Sequence, residues 1–357
     1  IIAKEGLEAC YVFDCLSDLL YAWATDLMIG NFFMVTCPYL FELDTVAYFA
    51  ILRNYHSFRT VARIRSTTQL LLDLYSSENE YYVHPLKVDG RHSPTMFLPH
   101  LKKGDEFVPV VSSVETARLF SRMSEQRITN SERGLDYWDR LFIDAERIMN
   151  ESPASPENEE NIRKICEILF GREERIAELA RSHFALQELM SIKSRLLGSG
   201  SIGGKATGML LAQNILYKDD SCDWKNKLEP HDSFYIGSDV YYTYIVENAW
   251  WKLFMEQKTD DGYFSLAPEA REKLRKGKFS DHICERFREL IDYFGQSPII
   301  VRSSSLLEDS FGNAFAGKYE SVFLVNQGDP EQRYAQFEEA VKKVYASTMS
   351  EDALVYR

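Results

Sequence analysis

Apolar and polar positions along this chain follow two rhythms, a strand-like one and a helix-like one, and they alternate from the first residues. Ala9-Cys-Tyr-Val-Phe-Asp-Cys-Leu-Ser-Asp18 is an apolar run ending in acid, which predicts a buried strand. Asn31-Phe-Phe-Met-Val-Thr-Cys-Pro38 predicts a second short strand, with a helix over residues 19–27 between the two. Residues 45–53 have a helix-compatible period. Residues 69–75 and 81–88 read as two further strands joined by a polar turn at 76–80. Strands alternating with helices predict a parallel α/β sheet.

The middle of the chain is helical in pattern. Ser113-Val-Glu-Thr116 resembles a capping box, although Glu115 falls one position short of N3. Residues 137–149 are amphipathic. Asn150-Glu-Ser-Pro-Ala-Ser-Pro-Glu-Asn158, with its two prolines, predicts a linker or loop. From 161 to 190, Ile162, Ile165, Ile168, Leu169, Ile176, Leu179, Leu186 and Leu189 recur at helical spacing. A helix pair that packs two α/β domains together is the first expectation, and an oligomerising helix the alternative. Further on, residues 232–241 predict a strand and a helix start, with Ser238 or Asp239 as N-cap. Tyr235, Tyr241, Tyr242, Tyr244, Trp250, Trp251 and Phe254 follow at helical spacing. That spacing favours core over adenine stacking. Residues 267–275 predict a charged surface helix and 282–294 an amphipathic one, leading to a strand at 298–301.

A chain of 357 residues is long enough for two or three domains. The boundaries expected are an α/β domain over 1–112, a helical connector over 113–194 and a nucleotide-binding domain over 195–357. A net charge of −13 argues against general nucleic-acid binding, because phosphate backbones attract basic surfaces. It leaves room for a small anion such as ATP, which needs only a local positive pocket. The six cysteines are scattered with no C-x-x-C pair, so neither a zinc ribbon nor a disulfide framework is expected. With no membrane-length apolar run and no signal-peptide pattern, a cytoplasmic protein with reduced thiols is expected.

Candidate chemistry concentrates in two segments. Leu197-Gly-Ser-Gly-Ser-Ile-Gly-Gly-Lys-Ala-Thr-Gly-Met209 holds five glycines and precedes the apolar run Leu210-Leu-Ala-Gln-Asn-Ile-Leu216. Glycine lets backbone N–H groups approach an anion, and a helix N-terminus favours negative charge. Lys205 adds a mobile positive charge. A P-loop is excluded, since Lys205 follows Gly204 and Ala206 stands where Ser or Thr is required. The loop by itself is either a phosphate cradle or a flexible linker. The second segment, Ile299-Ile-Val-Arg-Ser-Ser-Ser-Leu-Leu-Glu-Asp309, is an apolar strand ending in an arginine and three serines. A guanidinium there offers paired, permanently charged donors for phosphate, and an ordinary surface turn is the alternative.

Together the two segments resemble the nucleotide-binding domain of the pyruvate phosphate dikinase and phosphoenolpyruvate synthase family. Gly203-Gly-Lys-Ala-Thr-Gly-Met209 is similar to its Gly-Gly-Lys-x-x-x-Leu motif. Val301-Arg-Ser-Ser-Ser-Leu-Leu-Glu-Asp309 with Ala314-Phe-Ala-Gly317 is similar to its Val-Arg-Ser-Ser-x-x-x-Glu-Asp and Ser-Phe-Ala-Gly motifs. Val344-Tyr-Ala-Ser347 and Tyr356-Arg357 also look like the stretch that follows. The resemblance implies the N-terminal part of an ATP-grasp fold in which Lys205 and Arg302 contact the ATP phosphates and act in catalysis. Gly203, Gly204, Ser303 and Ser304 line the nucleotide, and the Ala316–Gly317 loop closes over the transferred group. Magnesium would accompany ATP, and pyruvate or another small acceptor would take the phosphate; a non-catalytic ATP-binding regulatory or scaffold protein is the alternative. Two departures are Ala314 for the loop serine and Met209 for leucine. The family's phosphohistidine domain and barrel are expected in a longer protein, of which this chain would be a part. None of the seven histidines stands in a carrier motif, so a surface or structural role is expected for each.

The first 112 residues more weakly resemble the second half of a RecA-like core of the KaiC-related kind. Asp14 would then match a strand-end acid associated with magnesium, and helix capping by Asp14 and Asp18 is the alternative. Lys87 and Arg91 would reach a neighbouring subunit's nucleotide, or form a solvated basic turn. A homo-oligomer fits that resemblance.

Overall fold

In the computed structural model, the described residues are 9–20, 25–53, 55–77, 79–125, 135–151, 156–229, 231–306 and 317–357. They divide into two compact units, residues 1–20 with 29–139 and residues 21–28 with 140–357.

In the first unit, β1 (Cys10–Phe13) and β2 (Val46–Phe49) pair in parallel, with Phe13 opposite Phe49. Their rings stack at 4.5 Å. Parallel strands need a crossover, and α1 (Asp26–Glu42) lies between them in sequence. The strand expected at 31–38 is therefore helix. A short apolar run does not by itself separate a buried strand from a buried helix. The deciding pattern is longer: Ile29, Phe33, Cys37 and Leu40 are all buried at helical spacing. The helix expected at 45–53 is β2, whose residues alternate between exposed and half-buried. Val46, Tyr48 and Phe49 suit a pleated surface. Residues 21–24 of the helix expected over 19–27 lie outside the described residues.

Asp14 accepts from the Cys15 N–H at 2.9 Å and Leu16–Leu19 forms a 3₁₀ turn with no side-chain cap. The Ser17 hydroxyl pairs with His56 Nε2 at 2.8 Å and accepts from the Leu52 N–H at 2.7 Å, which anchors the chain after β2. α2 (Phe58–Thr67) is capped by Ser57. Then β3 (Leu70–Ser77) and β4 (Glu80–Val88) form the expected hairpin, with β5 (His100–Lys103) and β6 (Glu106–Pro109) beyond. This sheet runs β3-β4-β5-β6 and is antiparallel throughout, not part of one parallel sheet. Its short connections leave no room for a crossover. Lys87 Nζ donates to the Arg65 carbonyl at 2.7 Å. α3 (Ser113–Glu125) follows.

In the second unit, α4 (Tyr137–Glu151) and α5 (Pro156–Phe170) take the two ends of the linker expected at 150–158, whose residues 152–155 lie outside the described residues. Pro156 opens α5, a position where a missing N–H costs nothing. α6 (Glu174–His183) and α7 (Leu186–Ser194) pack on α5 around Ile165, Leu169, Ala180 and Leu189, each buried. Two small sheets follow. β7 (Leu196–Leu197) pairs in parallel with β8 (Tyr235–Ile236), across α8 (Gly204–Tyr217) and α9 (Trp224–Lys227). β9 (Ile299–Arg302) pairs antiparallel with β10 (Ser321–Leu324). Between these lie α10 (Ser238–Glu247), α11 (Trp251–Gln257), α12 (Gly262–Ser265), α13 (Ala267–Lys276) and α14 (Asp281–Phe294). α15 (Pro330–Ser347) and α16 (Glu351–Tyr356) close the chain.

The core of this unit is an aromatic chain. Ring centroids are 4.4 Å apart for Tyr244–Phe279, 5.1 Å for Phe279–Phe287 and 5.1 Å for Phe287–Phe337. Tyr235, Tyr244 and Phe254 are buried, with Tyr241, Trp250 and Trp251 packed around them, while Tyr242 is exposed. Buried Arg333 fixes the turn that launches β9: its Nη1 donates to the Ile291 carbonyl at 3.0 Å and also to the Gly295 carbonyl. Asn326 adds bonds to the Gly295 and Ser297 carbonyls at 2.9 and 2.8 Å. Among the described residues no helix is long and apolar enough to cross a membrane.

Phe287 is fully buried at the centre of the aromatic chain. Phe287→Ala is expected to destabilise the second unit by about 3–5 kcal/mol. The check is the denaturant midpoint followed by tryptophan fluorescence, since Trp250 and Trp251 flank this core.

Candidate functional site

The two motif segments, about a hundred residues apart in sequence, meet backbone to backbone. The chain leaves β7 at Leu197 and turns through Gly198, Gly200 and Gly203, all at positive φ, before α8 begins at Gly204. β9 ends at Arg302, opposite Ser321. The three serines after Arg302 then lie against the start of α8. Gly204 N–H donates to the Ser305 carbonyl at 3.1 Å, and Ala206 N–H donates to the Ser304 hydroxyl at 2.8 Å. The second bond spans 98 residues.

Gly203 has a specific steric reason to be glycine. Its φ is +80°, and a Cβ there would lie 1.1 Å from the Ser304 carbonyl oxygen. The sequence suggested that these glycines open the loop to an anion. What approaches Gly203 in the structure is the Ser304 backbone. The N–H groups of Gly203, Gly204 and Ala206 donate to Ser201, Ser305 and Ser304 respectively. The start of α8 is thus capped by the serines that follow β9, which supply acceptors that Gly203 as N-cap cannot.

The rest of the loop is held on two further sides. The Ile202 N–H and the Ser201 hydroxyl both donate to the Leu169 carbonyl at the end of α5, at 3.0 and 3.1 Å. Ser199 and Ser201 bond to Asp239 and Ser238 at the start of α10. The N-cap of α10 is Gly237, without a side-chain bond, so neither Ser238 nor Asp239 caps it. Sequence reading missed Asp239 as a partner of this loop, because its bonds run backwards over 40 residues.

Of the predicted site residues, Gly203, Gly204 and Ser304 are in direct apposition. Lys205 is half-buried on the first turn of α8, Ser303 is half-buried, and Arg302 is exposed at the end of β9. Ala316 lies outside the described residues, as do Glu308, Asp309 and Ala314. Gly317, at φ +73°, opens the descent into β10. That descent is pinned by the two segments singled out downstream. The Glu320 N–H donates to the Ser347 hydroxyl at 3.0 Å, and Arg357 Nη2 donates to the Tyr319 hydroxyl at 2.8 Å. Burial pushes the Tyr241 hydroxyl up to about 12 and raises Tyr345 as well, with Tyr241 and Asp239 adding to the latter. Both phenols stay neutral at physiological pH. Among the described residues no three His, Cys, Asp or Glu side chains gather as a metal group.

Gly203→Ala would drive a methyl into the Ser304 backbone. It is expected to separate α8 from the end of β9 and to destabilise the unit by more than about 3 kcal/mol, through overpacking and backbone strain together. Ser304→Ala, which removes only the hydroxyl cap, is expected to cost about 0.5–2 kcal/mol. Chemical denaturation of the two variants checks the order.

Residues 199–357 match the family model of the pyruvate phosphate dikinase AMP/ATP-binding domain. No match was found among curated proteins or among solved structures. The matched span includes the glycine loop from Ser199, all of α8, both strands β9 and β10, and the pinned descent between them. This part of the chain, a little under half of its length, is similar to the pyruvate phosphate dikinase AMP/ATP-binding domain.

Proposed function

We propose that residues 199–357 are the ATP-binding part of a phosphotransferase of the phosphoenolpyruvate synthase and pyruvate phosphate dikinase type, with Lys205 and Arg302 on the nucleotide phosphates. The observation that carries this reading is the pair of bonds from Gly204 to Ser305 and from Ala206 to Ser304. They flank Lys205 on one side and follow Arg302 on the other, so the two backbone segments that carry these cations are tied together. Phosphoryl transfer depends chiefly on positioning and on neutralising oxygen charge. A lysine supplies a mobile point charge and an arginine a rigid fork. Because the Gly204 and Ala206 amides are engaged by the serines, we assign phosphate contact to the two side chains and not to a backbone cradle. Gly203, Gly204 and Ser304 then act as the frame, Ser303 lines the nucleotide, and the Ala316–Gly317 loop is expected to close over the transferred group.

We read residues 195–357 as the N-terminal part of an ATP-grasp domain, 113–194 as its helical connector and 1–112 as a RecA-like unit. The parallel β1–β2 pair supports the last of these. Magnesium is expected with ATP, and no described residue is assigned to it. Pyruvate or a related small acceptor follows from the dikinase reading alone.

Isothermal titration of the chain with ATP tests the assignment. Lys205→Ala and Arg302→Ala are each expected to weaken ATP by about tenfold or more, the worth of one charge-assisted hydrogen bond. Adenosine binding should be untouched. Wild-type ATP affinity in both variants would sink the reading.

A further inference from the structure

Asp239 is only 5% exposed, yet it does not serve its own helix. Both of its carboxylate oxygens reach back to Ser199. Oδ1 accepts the backbone N–H at 2.8 Å, and Oδ2 accepts the hydroxyl at 2.9 Å. The Asp239 N–H returns a longer bond to the Ser199 carbonyl at 3.4 Å. Ser238 repeats the arrangement one step on, accepting from the Ser201 N–H at 3.2 Å and donating its own N–H to the Ser201 carbonyl at 3.1 Å. The fit is close on both sides. A Cβ on Gly198 would lie 2.5 Å from Asp239 Oδ1, and one on Gly237 would lie 2.2 Å from the Ser199 carbonyl oxygen.

A buried carboxylate is costly unless its oxygens are hydrogen-bonded, and a negative charge behind a phosphate site opposes the ligand. What the clasp supplies in return is order. Glycines lose more freedom on being fixed than any other residue, and residues 198–204 contain four of them. A loop fixed before the ligand arrives need not be ordered by it. The two bonds to Ser199 are charge-assisted, hence stronger than neutral ones.

We propose that Asp239 is a positioning residue for nucleotide binding. Through Ser199 it fixes the loop that delivers Lys205, and it raises ATP affinity without touching ATP. The proposal rests on the assignment of Lys205 and Arg302 to the ATP phosphates.

The test is titration of the chain with ATP and, separately, with adenosine, alongside hydrogen exchange of residues 196–205. Asp239→Ala is expected to weaken ATP by about tenfold, to leave adenosine unchanged and to speed exchange in the loop. Ser199→Ala keeps the N–H bond and should lose about threefold. Asp239→Asn keeps an acceptor for that N–H and should fall between Asp239→Ala and wild type. Unchanged ATP affinity in Asp239→Ala, or equal losses for ATP and adenosine, overturns the proposal. Should Asp239→Ala not fold, Ser199→Ala decides, and wild-type ATP affinity there is the overturning result. Lys205→Ala and Arg302→Ala in the same titration separate the two levels. If both bind ATP normally, the nucleotide reading itself fails. If both weaken while Asp239→Ala does not, only the positioning role fails.

Discussion

The second unit depends on one contact, the approach of the Gly203 backbone to that of Ser304. No side chain fits between them, as the 1.1 Å clearance for a Cβ shows. This contact lets Ser304 and Ser305 cap α8 from across the unit, and so fixes where Lys205 emerges relative to the end of β9. A helix N-terminus has orphan N–H groups that need acceptors. Most helices find them in the preceding residues. Here the preceding residues are mostly glycine and serine, and the acceptors come from the segment just after β9, 98 residues later. The cap is thus also a long-range tie between the two motifs, and neither can shift without exposing the other.

That tie would be useless if β9 itself were loosely held. Its launch is set by Arg333 and Asn326, whose side chains occupy the carbonyls around Gly295 and Ser297. Asp292 is 3.9 Å from Arg333, so neutral carbonyls do most of the work of stabilising a buried guanidinium. The aromatic chain from Tyr244 to Phe337 then packs α14 against α15. At the other end of the connection, Ser347 and Arg357 hold Glu320 and Tyr319. Arg302 therefore stands exposed between two anchored stretches.

What could be read from sequence follows the range of the interactions involved. The hairpin at 69–88 was legible because two alternating runs flank a polar turn, all within one window. The stretches at 31–38 and 45–53 were not, because short apolar runs fit either element. Only the spacing of Ile29 through Leu40 over the whole helix, and the stacking of Phe49 on Phe13, decide them. At the site, the residue types and order around Lys205 and Arg302 pointed to the family whose model matches residues 199–357. The neighbour of Gly203, the Ser304 backbone, was not legible, since a glycine that admits an anion and one that admits a neighbouring backbone look the same in sequence. Asp239 was hidden for a related reason: an aspartate just after a strand looks like a cap, and its bonds to Ser199 cross 40 residues.

Electrostatics explains how a chain of net charge −13 can present a site for a polyanion. At physiological ionic strength exposed charges more than about 8 Å apart are largely screened, so the overall charge matters less than the nearest few groups. Among those near the loop, the Asp239 carboxylate is occupied by two donors from Ser199 and faces away from solvent at 5% exposure. Its field is partly offset by those dipoles. Lys205 and Arg302 carry the opposite sign at the ends of separate elements, with Arg302 open to solvent. The arrangement puts the negative charge against the loop backbone and leaves Arg302 exposed at the end of β9. Glycine flexibility and a buried acid are each unfavourable alone. Joined through Ser199, the acid orders the glycines, and the loop's donors satisfy the acid.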